Sequence, residues 1–268
     1  MDRYLEFAAE LAVARRAAAE AAEIIVRRTG ATEVREKERS DLVTAADEAS
    51  ERAVIARIRA HFPDDAVIAE ESAGSVRSVG RRWIVDPIDG TNNFVHGHPF
   101  TCVSIAFADA AGPTVAVVHA PLLGEVFHAV RGGGAFANDR PIRVSEVDDP
   151  GRALLATGFP FKHGKGKLDV FLRMASDVIT EAQDVRRAGS AALDLAFVAA
   201  GRVEGYFEIG LSPWDVAAGM LLVTEAGGRV TGWPGDGREP LESGRVLASN
   251  GRIHGWLEGV AGRYASAL

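Results

Sequence analysis

The order in which apolar segments follow one another is the feature that most limits how this chain can fold. A long helix rich in Ala, Glu and Arg is predicted over residues 2–28, and a second helix over residues 45–61, before Pro63. Five short apolar or β-branched runs come next, and several are bounded by glycine or proline, as is typical of strands. In chain order they are AVIAEE, RRWIVD, TCVSIAFA, PTVAVVHA and EVFHAV. The first half of the chain therefore predicts an α+β arrangement.

From about residue 145 onward, strand-like and helix-like segments alternate. Strands are predicted at ALLATG, DVRRAG, GYFEIG, GRVTGW and VLASN, with helices near residues 168–181, 190–200 and 214–226 and from about residue 252. Such alternation is typical of an α/β fold. A chain of 268 residues can form one large domain or two modest ones. We expect an N-terminal α+β half over residues 1–145 and a C-terminal α/β half over residues 146–268.

Composition and charge exclude several classes of protein. The chain is 47% hydrophobic and 25% charged, which is ordinary for a globular protein, and its net charge of −7 argues against general nucleic-acid binding. No apolar run reaches the ~18 residues that a membrane helix needs, and the acidic N-terminus is unlike a signal peptide. The single cysteine, Cys102, lies in a strand-like run and is expected in the core. We therefore expect a cytoplasmic protein that binds no membrane.

The stretch WIVDPIDGTNNF places two aspartates around a proline where an apolar run stops. Pro87 favours an extended Asp86, so the strand is expected to end there. A tight turn would then aim Asp86 and Asp89 at one point, together with the carbonyl oxygen of Ile88. Thr91, at the start of a predicted short helix, adds a hydroxyl and a backbone N–H. Mg²⁺ prefers oxygen ligands of these kinds, although an exposed Asx turn would explain the same residues.

Three further segments carry carboxylates that have both a structural and a functional interpretation. Asp47 completes a Ser/Thr-x-x-acid capping box with Thr44 at the start of the second helix. Asp215 completes a similar box with Ser212 at the start of a later helix. Glu70 stands at the polar end of the strand AVIAEE. Taken one at a time, each is explained equally well as a cap or as the polar end of a strand.

Convergence of these carboxylates would require cations. If the five side chains met, they would repel one another severely, because close like charges oppose joint ionisation. The carboxylates concerned are Asp47, Glu70, Asp86, Asp89 and Asp215. Convergence would therefore imply bound metal, with two or more ions, but the spacing along the chain does not decide whether the side chains meet.

Two long motifs and four shorter ones lie in a fixed order along the chain. WIVDPIDGTNNFVHGHP fits the pattern W-x-x-D-P-x-D-G-T-x-N-F, and SPWDVAAGMLLVTEAGG fits W-D-x-A-A-G-x-x-L-x-x-E-A-G-G. DLVTAAD, AEES, ATGFP and RRAGSAALDLAFVAAGRVEGYFE complete the set. In order and spacing they resemble the signatures of the inositol monophosphatase family of metal-dependent, lithium-sensitive phosphatases, over about residues 37–250. Ala69 in AEES departs from the glycine common in the family and affects no central residue.

The resemblance implies an αβαβα layered sandwich, usually dimeric, with the site between the two halves. By the family pattern, Glu70, Asp86 and the Ile88 carbonyl would hold one Mg²⁺. A second ion would be held by Asp86, Asp89 and Asp215, and Glu70 would assist a third, weaker ion through water. The resemblance thus implies two to three Mg²⁺ ions, for which Mn²⁺ would substitute.

The resemblance also implies roles for the remaining site residues. Thr91 and Asp47, with Glu70 nearby, would orient and deprotonate the attacking water. The substrate contacts would come from the Gly90 and Thr91 amides at the phosphate, and from further residues that touch the phosphate or the hydroxyls of the alcohol. These further residues are Asp89, Ser190, Ala191 and Glu208.

The implied activity is hydrolysis of inositol monophosphates and related polyol or sugar phosphates, by direct attack of a metal-activated water and without a phosphoenzyme. The implied partners are a small phosphorylated polyol or sugar and a second copy of the chain in a homodimer. The alternatives within the superfamily are a histidinol-phosphate phosphatase, a fructose-1,6-bisphosphatase and a nucleotide-3′-phosphatase. A non-catalytic regulator of transcription antitermination is the alternative from another class, because some bacterial family members resemble such regulators.

Other polar segments are expected to lie at the surface. His96 and His98 are interpreted as surface or supporting residues, because a Mg²⁺ site prefers oxygen ligands. The lysine-rich segment FKHGKGK, residues 161–167, predicts a solvated loop, with electrostatic steering of phosphorylated substrates as the alternative. TEVREKERSD predicts an exposed loop or hairpin, which resembles the family's loop over the site, and Asp41 is expected to brace it.

Overall fold

The computed structural model describes residues 3–28, 34–38, 41–72, 80–160 and 164–268 of the chain. Over these ranges helices and sheets alternate in layers, in the order helix, sheet, helix, sheet, helix. The layered αβαβα sandwich expected from the sequence resemblance is therefore confirmed. Within the described ranges, no helix is both long enough and apolar enough to span a lipid bilayer.

The helices are numbered in chain order. They are α1 (Arg3–Glu6), α2 (Ala8–Arg28), α3 (Ala45–His61), α4 (Thr91–Val95), α5 (Gly164–Glu181), α6 (Ala191–Ala199), α7 (Pro213–Glu225), α8 (Pro240–Ser243) and α9 (His254–Gly262).

The strands are numbered in the same way. They are β1 (Val34–Glu38), β2 (Asp41–Thr44), β3 (Ala66–Ala69), β4 (Arg82–Asp89), β5 (Cys102–Asp109), β6 (Gly112–Ala120), β7 (Glu125–Val130), β8 (Gly134–Ala137), β9 (Arg140–Ile142), β10 (Leu154–Thr157), β11 (Asp184–Arg186), β12 (Gly205–Ile209), β13 (Arg229–Thr231) and β14 (Arg245–Ser249).

The strands form two large sheets and one hairpin. The seven-stranded sheet has the order β3-β4-β5-β6-β7-β8-β9, with β3 parallel to β4 and the later neighbours antiparallel. The five-stranded sheet has the order β11-β10-β12-β14-β13, and β10 is parallel to both of its neighbours. β1 and β2 pair as an antiparallel hairpin, which confirms the hairpin expected in the charged segment. The side chain of Asp41, expected to brace it, lies outside the described residues.

Both faces of the seven-stranded sheet are buried. On β4, Trp83 and Val85 pack in the cluster that contains α2 and α3, whereas Ile84 packs in the cluster that contains α6 and α7. Alternate residues of a strand point to opposite faces, so a strand covered by helices on both sides reads as a continuous apolar run. This is why RRWIVD and TCVSIAFA lack polar alternation, and Cys102 is fully buried as expected.

The five-stranded sheet is covered in the same way. On β12, Tyr206 packs in the cluster with α6 and α7, whereas Phe207 packs in the cluster with α5 and α9. The layer formed by α6 and α7 therefore lies between the two sheets. The N-terminal ends of these two helices carry predicted site residues, so the middle layer brings residues of the second half of the chain towards β4.

Two helix boundaries differ from the sequence prediction. The predicted helix over residues 2–28 is interrupted at Phe7, where the hydrogen bond from the Phe7 N–H to the Arg3 carbonyl is long, at 3.4 Å. α5 begins at Gly164 rather than near residue 168, because its first turn is polar and carries no apolar periodicity. The buried face of α5 begins only with Phe171.

The lysine-rich segment is therefore partly helical rather than a loop. Lys165 and Lys167 lie in the first turn of α5 and are exposed, whereas Lys162 lies outside the described residues. His96 and His98 are exposed after α4, as expected. Steering of substrates by the lysines stays a prediction.

Candidate active site

The two aspartates of the DPID segment lie at a bulge in β4. In the pairing of β4 with β5, Asp86 lies opposite Ser104 and Asp89 lies opposite Cys102. The two residues between the aspartates therefore face a single residue of β5, which makes a bulge. A bulge bends a strand and redirects its side chains, and Pro87 is tolerated there because proline has no N–H for the ladder. The prediction that the strand ends at Asp86 is wrong, because pairing resumes at Asp89.

Hydrogen bonds fix the backbone of this bulge. Asp86 Oδ1 accepts a hydrogen bond of 3.0 Å from the Ile88 N–H. Ser50 Oγ, on α3, donates at 2.9 Å to the Pro87 carbonyl. The side chains of Asp86 and Asp89 are largely removed from solvent, since the two residues are only 2% and 8% exposed. The bulge therefore buries two carboxylates side by side, so the Asx-type hydrogen bond of Asp86 is present but the solvent exposure of that alternative is excluded.

Asp215 reaches the same place from the start of α7. The Ser212 N–H donates to Asp215 Oδ2 at 2.7 Å within the capping box that the sequence predicts. Asp86, Asp89 and Asp215 each offer a carboxylate oxygen, and these oxygens lie within 4.8 Å of one another. Because all three ligands are oxygens, the group suits a hard divalent cation such as Mg²⁺. These three side chains could together hold a metal ion.

The charges of these carboxylates oppose one another strongly. Burial, followed by the charges of Glu70, Asp89 and Asp215, raises the pKa of Asp86 well above its usual value. Burial raises the pKa of Asp89 to about 6, against the hydrogen bonds that its carboxylate accepts. The pKa of Asp215 is also raised well above its usual value, by burial and then by the charge of Asp89. A bound cation would offset the free-energy cost of ionising these buried carboxylates, because it attracts all of them at once.

Glu70 lies beside this group of three carboxylates. It is half-buried, and its charge raises the pKa of both Asp86 and Asp215, so its carboxylate is near theirs. It is not among the carboxylates that lie within 4.8 Å of one another in the described part of the chain. The sequence predicts Glu70 at the polar end of a strand, but β3 ends at Ala69 and Glu70 follows it in a turn.

Asp47 is both a helix cap and a neighbour of Thr91. Its Oδ2 atom accepts a hydrogen bond of 2.8 Å from the Thr44 N–H, as the predicted capping box requires, and a further one of 2.5 Å from the Thr44 hydroxyl. Its Oδ1 atom accepts a hydrogen bond of 3.2 Å from the Thr91 hydroxyl, which also lies 3.1 Å from the Ile88 carbonyl oxygen. Burial raises the pKa of Asp47, against these hydrogen bonds. The structural and functional interpretations of Asp47 are therefore compatible, since they use different oxygens.

Gly90 makes the turn from β4 into α4 possible. Its φ is 90°, and a Cβ atom there would lie 3.0 Å from the Phe100 carbonyl oxygen and 3.2 Å from the Gly189 carbonyl oxygen. Only glycine adopts this conformation at little cost. α4 then begins at Thr91, as predicted, and ends at Val95. The N–H groups of Gly90 and Thr91 thus follow the carboxylate bulge directly.

Ser190 connects the start of α6 to the carboxylate bulge. Its Oγ donates to Asp89 Oδ2 at 2.7 Å, and the Ala192 N–H donates to the same oxygen at 2.7 Å. The Ser190 hydroxyl also accepts from the Leu193 N–H at 3.4 Å, as the cap of α6. The serine therefore holds Asp89 in place, an interaction that was not predicted from the sequence. Contact of Ser190 or Ala191 with substrate stays a prediction.

A cavity of about 130 Å³ opens beside the carboxylates. Several predicted site residues line it, namely Asp89, Ser190, Ala191, Glu208 and Asp215. Gly158 and Arg187 line it as well, and neither was predicted from the sequence. Both stand in segments that resemble family motifs, ATGFP and RRAGS, so their position in those motifs was the available signal.

Glu208, on β12, also lines this cavity. It does not belong to the group formed by Asp86, Asp89 and Asp215. The Tyr206 hydroxyl donates to its Oε2 atom. Burial raises the pKa of Glu208 to about 7, against this hydrogen bond and the positive charge of Arg187. Glu208 also packs closely on Gly158, where a Cβ atom would lie 2.0 Å from Oε1. Near neutral pH, Glu208 can therefore both accept and donate hydrogen bonds to a hydroxyl.

Known proteins are similar to this chain in sequence and in fold. The model of the inositol monophosphatase family matches residues 8–264. Nus factor SuhB of Salmonella typhimurium is 44% identical over 249 residues, which cover 91% of this chain and 92% of that protein. The structure of extragenic suppressor protein suhB from Bartonella henselae is 38% identical, with a TM-score of 0.88 over 94% of this chain and 98% of that chain. Inositol monophosphatase from Anabaena is 38% identical, with a TM-score of 0.86 over 98% of this chain and 100% of that chain. The chain belongs to the inositol monophosphatase family.

Proposed function

We propose that this chain is a Mg²⁺-dependent phosphomonoesterase whose substrates are inositol monophosphates and related polyol or sugar phosphates. The observation that carries the proposal is the gathering of Asp86, Asp89 and Asp215 within 4.8 Å. Asp89 and Asp215 line the same cavity as Glu208, which leaves room for an alcohol beside the carboxylates. Membership of the family and similarity to the Anabaena inositol monophosphatase support the same activity.

The buried carboxylates fit Mg²⁺ in charge and in ligand type. Asp86, Asp89 and Asp215 would hold one ion, and Glu70, Asp86 and the Ile88 carbonyl would hold another, with Glu70 assisting a third ion through water. Such ions supply charge neutralisation at the phosphate and a water of lowered pKa. Mn²⁺, which also accepts oxygen ligands, would substitute.

Thr91 and Asp47 are placed to orient the attacking water. The Thr91 hydroxyl donates its hydrogen to Asp47 Oδ1 at 3.2 Å, so its oxygen lone pairs can accept a hydrogen bond from water. Burial raises the pKa of Asp47, which makes it a better proton acceptor than an ordinary aspartate. We propose that the attacking water passes its proton to the Thr91 hydroxyl, which passes its own hydrogen to Asp47. Glu70 lies near this group. Because water itself attacks phosphorus, no phosphoenzyme forms.

The remaining residues are assigned to the two ends of the substrate. The N–H groups of Gly90 and Thr91 would donate hydrogen bonds to phosphate oxygens. Glu208 would bind hydroxyls of the alcohol, and Ser190 and Ala191 line the same cavity. A homodimer stays a prediction from the family resemblance, and sedimentation velocity would measure it.

A substrate panel tests the proposed activity. The purified protein would be assayed for phosphate release from inositol 1-phosphate, histidinol phosphate, fructose 1,6-bisphosphate and a nucleoside 3′-phosphate, with Mg²⁺ and with EDTA. We expect the highest kcat/KM for inositol 1-phosphate and no release with EDTA. A protein that releases no phosphate from any of them, or that accumulates a covalent phosphoprotein, would contradict the proposal.

A second candidate function is suggested by the names of similar proteins. The 44% identical relative from Salmonella typhimurium is named as a Nus factor. We therefore propose a role in transcription antitermination as the alternative to catalysis, or as an addition to it. Because the net charge is −7, such a role would depend on contacts with proteins more than on a general attraction to RNA.

An Asp215→Asn variant separates the two candidate functions. Asparagine can still accept the capping hydrogen bond from the Ser212 N–H, so the fold is expected to survive while metal binding and phosphatase activity are lost. If the biological role is catalytic, the variant fails to complement a strain that lacks the gene. If the role is regulatory, the variant complements although it releases no phosphate.

Mg²⁺ is expected to stabilise the protein more at high pH than at low pH. Burial raises the pKa of Asp89 to about 6 in the folded state, whereas the pKa of an aspartate in the unfolded chain is about 4. Protonation of Asp89 therefore stabilises the metal-free fold fully below about pH 4, and this stabilisation is lost as the pH rises through 6. Mg²⁺ at ~100 times its Kd adds ~2.7 kcal/mol, which is ~5–10 °C for a chain of this size. Thermal unfolding with Mg²⁺ or EDTA, near pH 5 and near pH 8, measures this effect, and an equal shift at both pH values would count against the carboxylate site.

A Gly158→Ala substitution is expected to weaken the binding of polyol phosphates. The new Cβ would lie 2.0 Å from Glu208 Oε1, so the buried carboxylate must move away from its position beside Tyr206. We expect KM for inositol 1-phosphate to rise about tenfold, because one positioned hydrogen bond is worth ~1–1.5 kcal/mol. Gly166→Ala is the matched control, since a Cβ there meets nothing within 4 Å. Unchanged KM in the Gly158 variant, or an equal rise for p-nitrophenyl phosphate, which has no hydroxyls, would contradict the role of Glu208.

A further inference from the structure

Arg187 brings a positive charge to the cavity beside the carboxylates. Among the described residues that line this cavity, Arg187 is the one with a cationic side chain. A Cβ atom on Gly189 would lie 2.7 Å from Nη1 of Arg187, so the guanidinium packs directly on the Gly189 backbone. Its Cζ atom lies 5.6 Å from the centre of the Phe159 ring, a cation–π distance. The guanidinium is therefore held between a backbone segment and an aromatic ring.

Two buried carboxyl groups lie within the field of this guanidinium. The charge of Arg187 lowers the pKa of Glu208 and of Asp194, although burial, the larger effect, raises both. Glu208 lines the cavity. Asp194 is 3% exposed and near enough to Glu208 for the charge of Glu208 to raise its pKa. The charge of the cavity therefore depends on Arg187, because every other charged side chain among its described lining residues is acidic.

We infer that Arg187 sets the charge of the alcohol that the site accepts, favouring neutral or anionic alcohols over those that carry an ammonium group. The inference rests on the proposed phosphomonoesterase function and adds a specificity residue to it. An ammonium group beside Glu208 would lie close to the guanidinium and be repelled. A hydroxyl or a carboxylate could accept hydrogen bonds from it.

The same geometry explains why a polyol pocket needs this cation. Without Arg187, the carboxyl groups that line the cavity would attract an ammonium group, so the site would bind amino-alcohol phosphates as well as polyol phosphates. Specificity is a difference of affinities, and a repulsive charge is an effective way to produce it. Arg187 thus distinguishes sugar and polyol phosphates from phosphates of amino alcohols.

A set of three phosphonates of similar size tests the inference through binding. They are 2-aminoethylphosphonate, 2-hydroxyethylphosphonate and 3-phosphonopropionate, whose free ends carry a positive charge, no charge and a negative charge. Calorimetric titration into the Mg²⁺-loaded protein near pH 8 and at low salt measures each Kd. For Arg187→Gln we expect the Kd of the amino compound to fall and that of the carboxylate to rise. The change should be about threefold for each, so that their ratio shifts about tenfold, as expected for a partly exposed charge pair.

Two variants control for structural effects. Arg187→Lys keeps the positive charge and should keep the order of the three Kd values. Arg186→Gln is the matched control, because Arg186 is exposed, pairs with Asp184, and is not among the residues that line the cavity. Thermal unfolding of all variants confirms that each is folded.

The outcomes separate the inference from the proposed function. Equal changes for all three phosphonates in Arg187→Gln, the same shift in Arg186→Gln, or no binding of any phosphonate would overturn the inference. A charge-dependent order in a protein that releases no phosphate from inositol 1-phosphate or from the other esters of the substrate panel would support the inference while contradicting the proposed function. Hydrolysis of inositol 1-phosphate with no charge-dependent order would support the function and overturn the inference.

Discussion

Replacing Asp86 by asparagine is expected to abolish phosphatase activity and, in the absence of metal, to make the protein more stable. The loss of activity follows from the proposed metal site, because Asp86 would contribute to both principal ions. We expect kcat to fall by at least about 10³-fold, the scale seen when one group that stabilises transition-state charge is removed. Phosphate release from inositol 1-phosphate at saturating Mg²⁺ measures this effect.

The gain in stability follows from the electrostatics of the metal-free site. Burial and the charges of Glu70, Asp89 and Asp215 raise the pKa of Asp86 well above its usual value. A carboxyl group whose pKa is raised in the folded state destabilises the fold once the pH exceeds the unfolded value of about 4. Asparagine removes this charge, and its oxygen can still accept the Ile88 N–H. With EDTA near pH 8, Tm should rise by at least ~2–4 °C, the shift that ~1 kcal/mol produces in a chain of this size.

The pH dependence and a surface control complete this test. Below about pH 4 the two proteins should unfold at the same temperature, because Asp86 is then protonated in both the folded and the unfolded wild type. Asp184→Asn is the control, since Asp184 is exposed and the hydrogen bond from Arg186 lowers its pKa. That variant should keep full activity and gain no stability. A metal-free Asp86→Asn protein that is less stable than wild type near pH 8 would show that the carboxylates are not in mutual repulsion.

The proximity of Asp86 and Asp89 was predicted from local sequence because its signals are local, although the sequence indicated a turn after the strand and the structure has a bulge within it. Pro87 restricts the residue before it, and Gly90 allows a turn that other residues resist, so the position of Asp86 and Asp89 could be read from neighbouring residues. The capping boxes of Asp47 and Asp215 were found for the same reason, since they are defined over four residues. The short helix after Gly90 also begins where the sequence indicates.

The meeting of Asp215 with Asp86 and Asp89 is a long-range property. It depends on α7 lying between the two sheets, and only the family resemblance suggested it. Residues that carry no chemistry of their own were missed: Gly158 matters because it leaves space for Glu208, which no pattern of polar residues reveals.

Residues with two functions were understood only in part. Ser190 was assigned to the substrate, whereas its hydroxyl donates to Asp89. Asp47 had a structural and a functional interpretation, and the structure assigns the helix cap to one oxygen and the neighbour Thr91 to the other. The first turn of α5 was missed because Lys165 and Lys167 give it no apolar face. Sequence patterns detect burial and turns more readily than they detect which atom of a side chain is engaged.

Thr91→Val is expected to remove most of the activity while leaving metal binding unchanged. Valine has nearly the shape of threonine but lacks the hydroxyl that lies 3.2 Å from Asp47 Oδ1 and 3.1 Å from the Ile88 carbonyl oxygen. The attacking water would lose its acceptor and its connection to Asp47, so we expect kcat to fall by ~10²–10⁴-fold, the usual contribution of positioned acid–base groups. The stabilisation by Mg²⁺ should persist, because Asp86, Asp89 and Asp215 are unaltered.

Thr91→Ser is the matched variant, since it restores the hydroxyl and removes only a methyl group. It should retain kcat within a few-fold, because the hydrogen bond to Asp47 can form again. The two variants together separate positioning of the water from metal binding: a valine variant that loses stabilisation by Mg²⁺ would make Thr91 a part of the metal site. A valine variant with wild-type kcat would instead show that Asp47 does not take the proton of the water through Thr91. The hydrogen bond between Thr91 and the buried Asp47 would then only connect α4 to the start of α3.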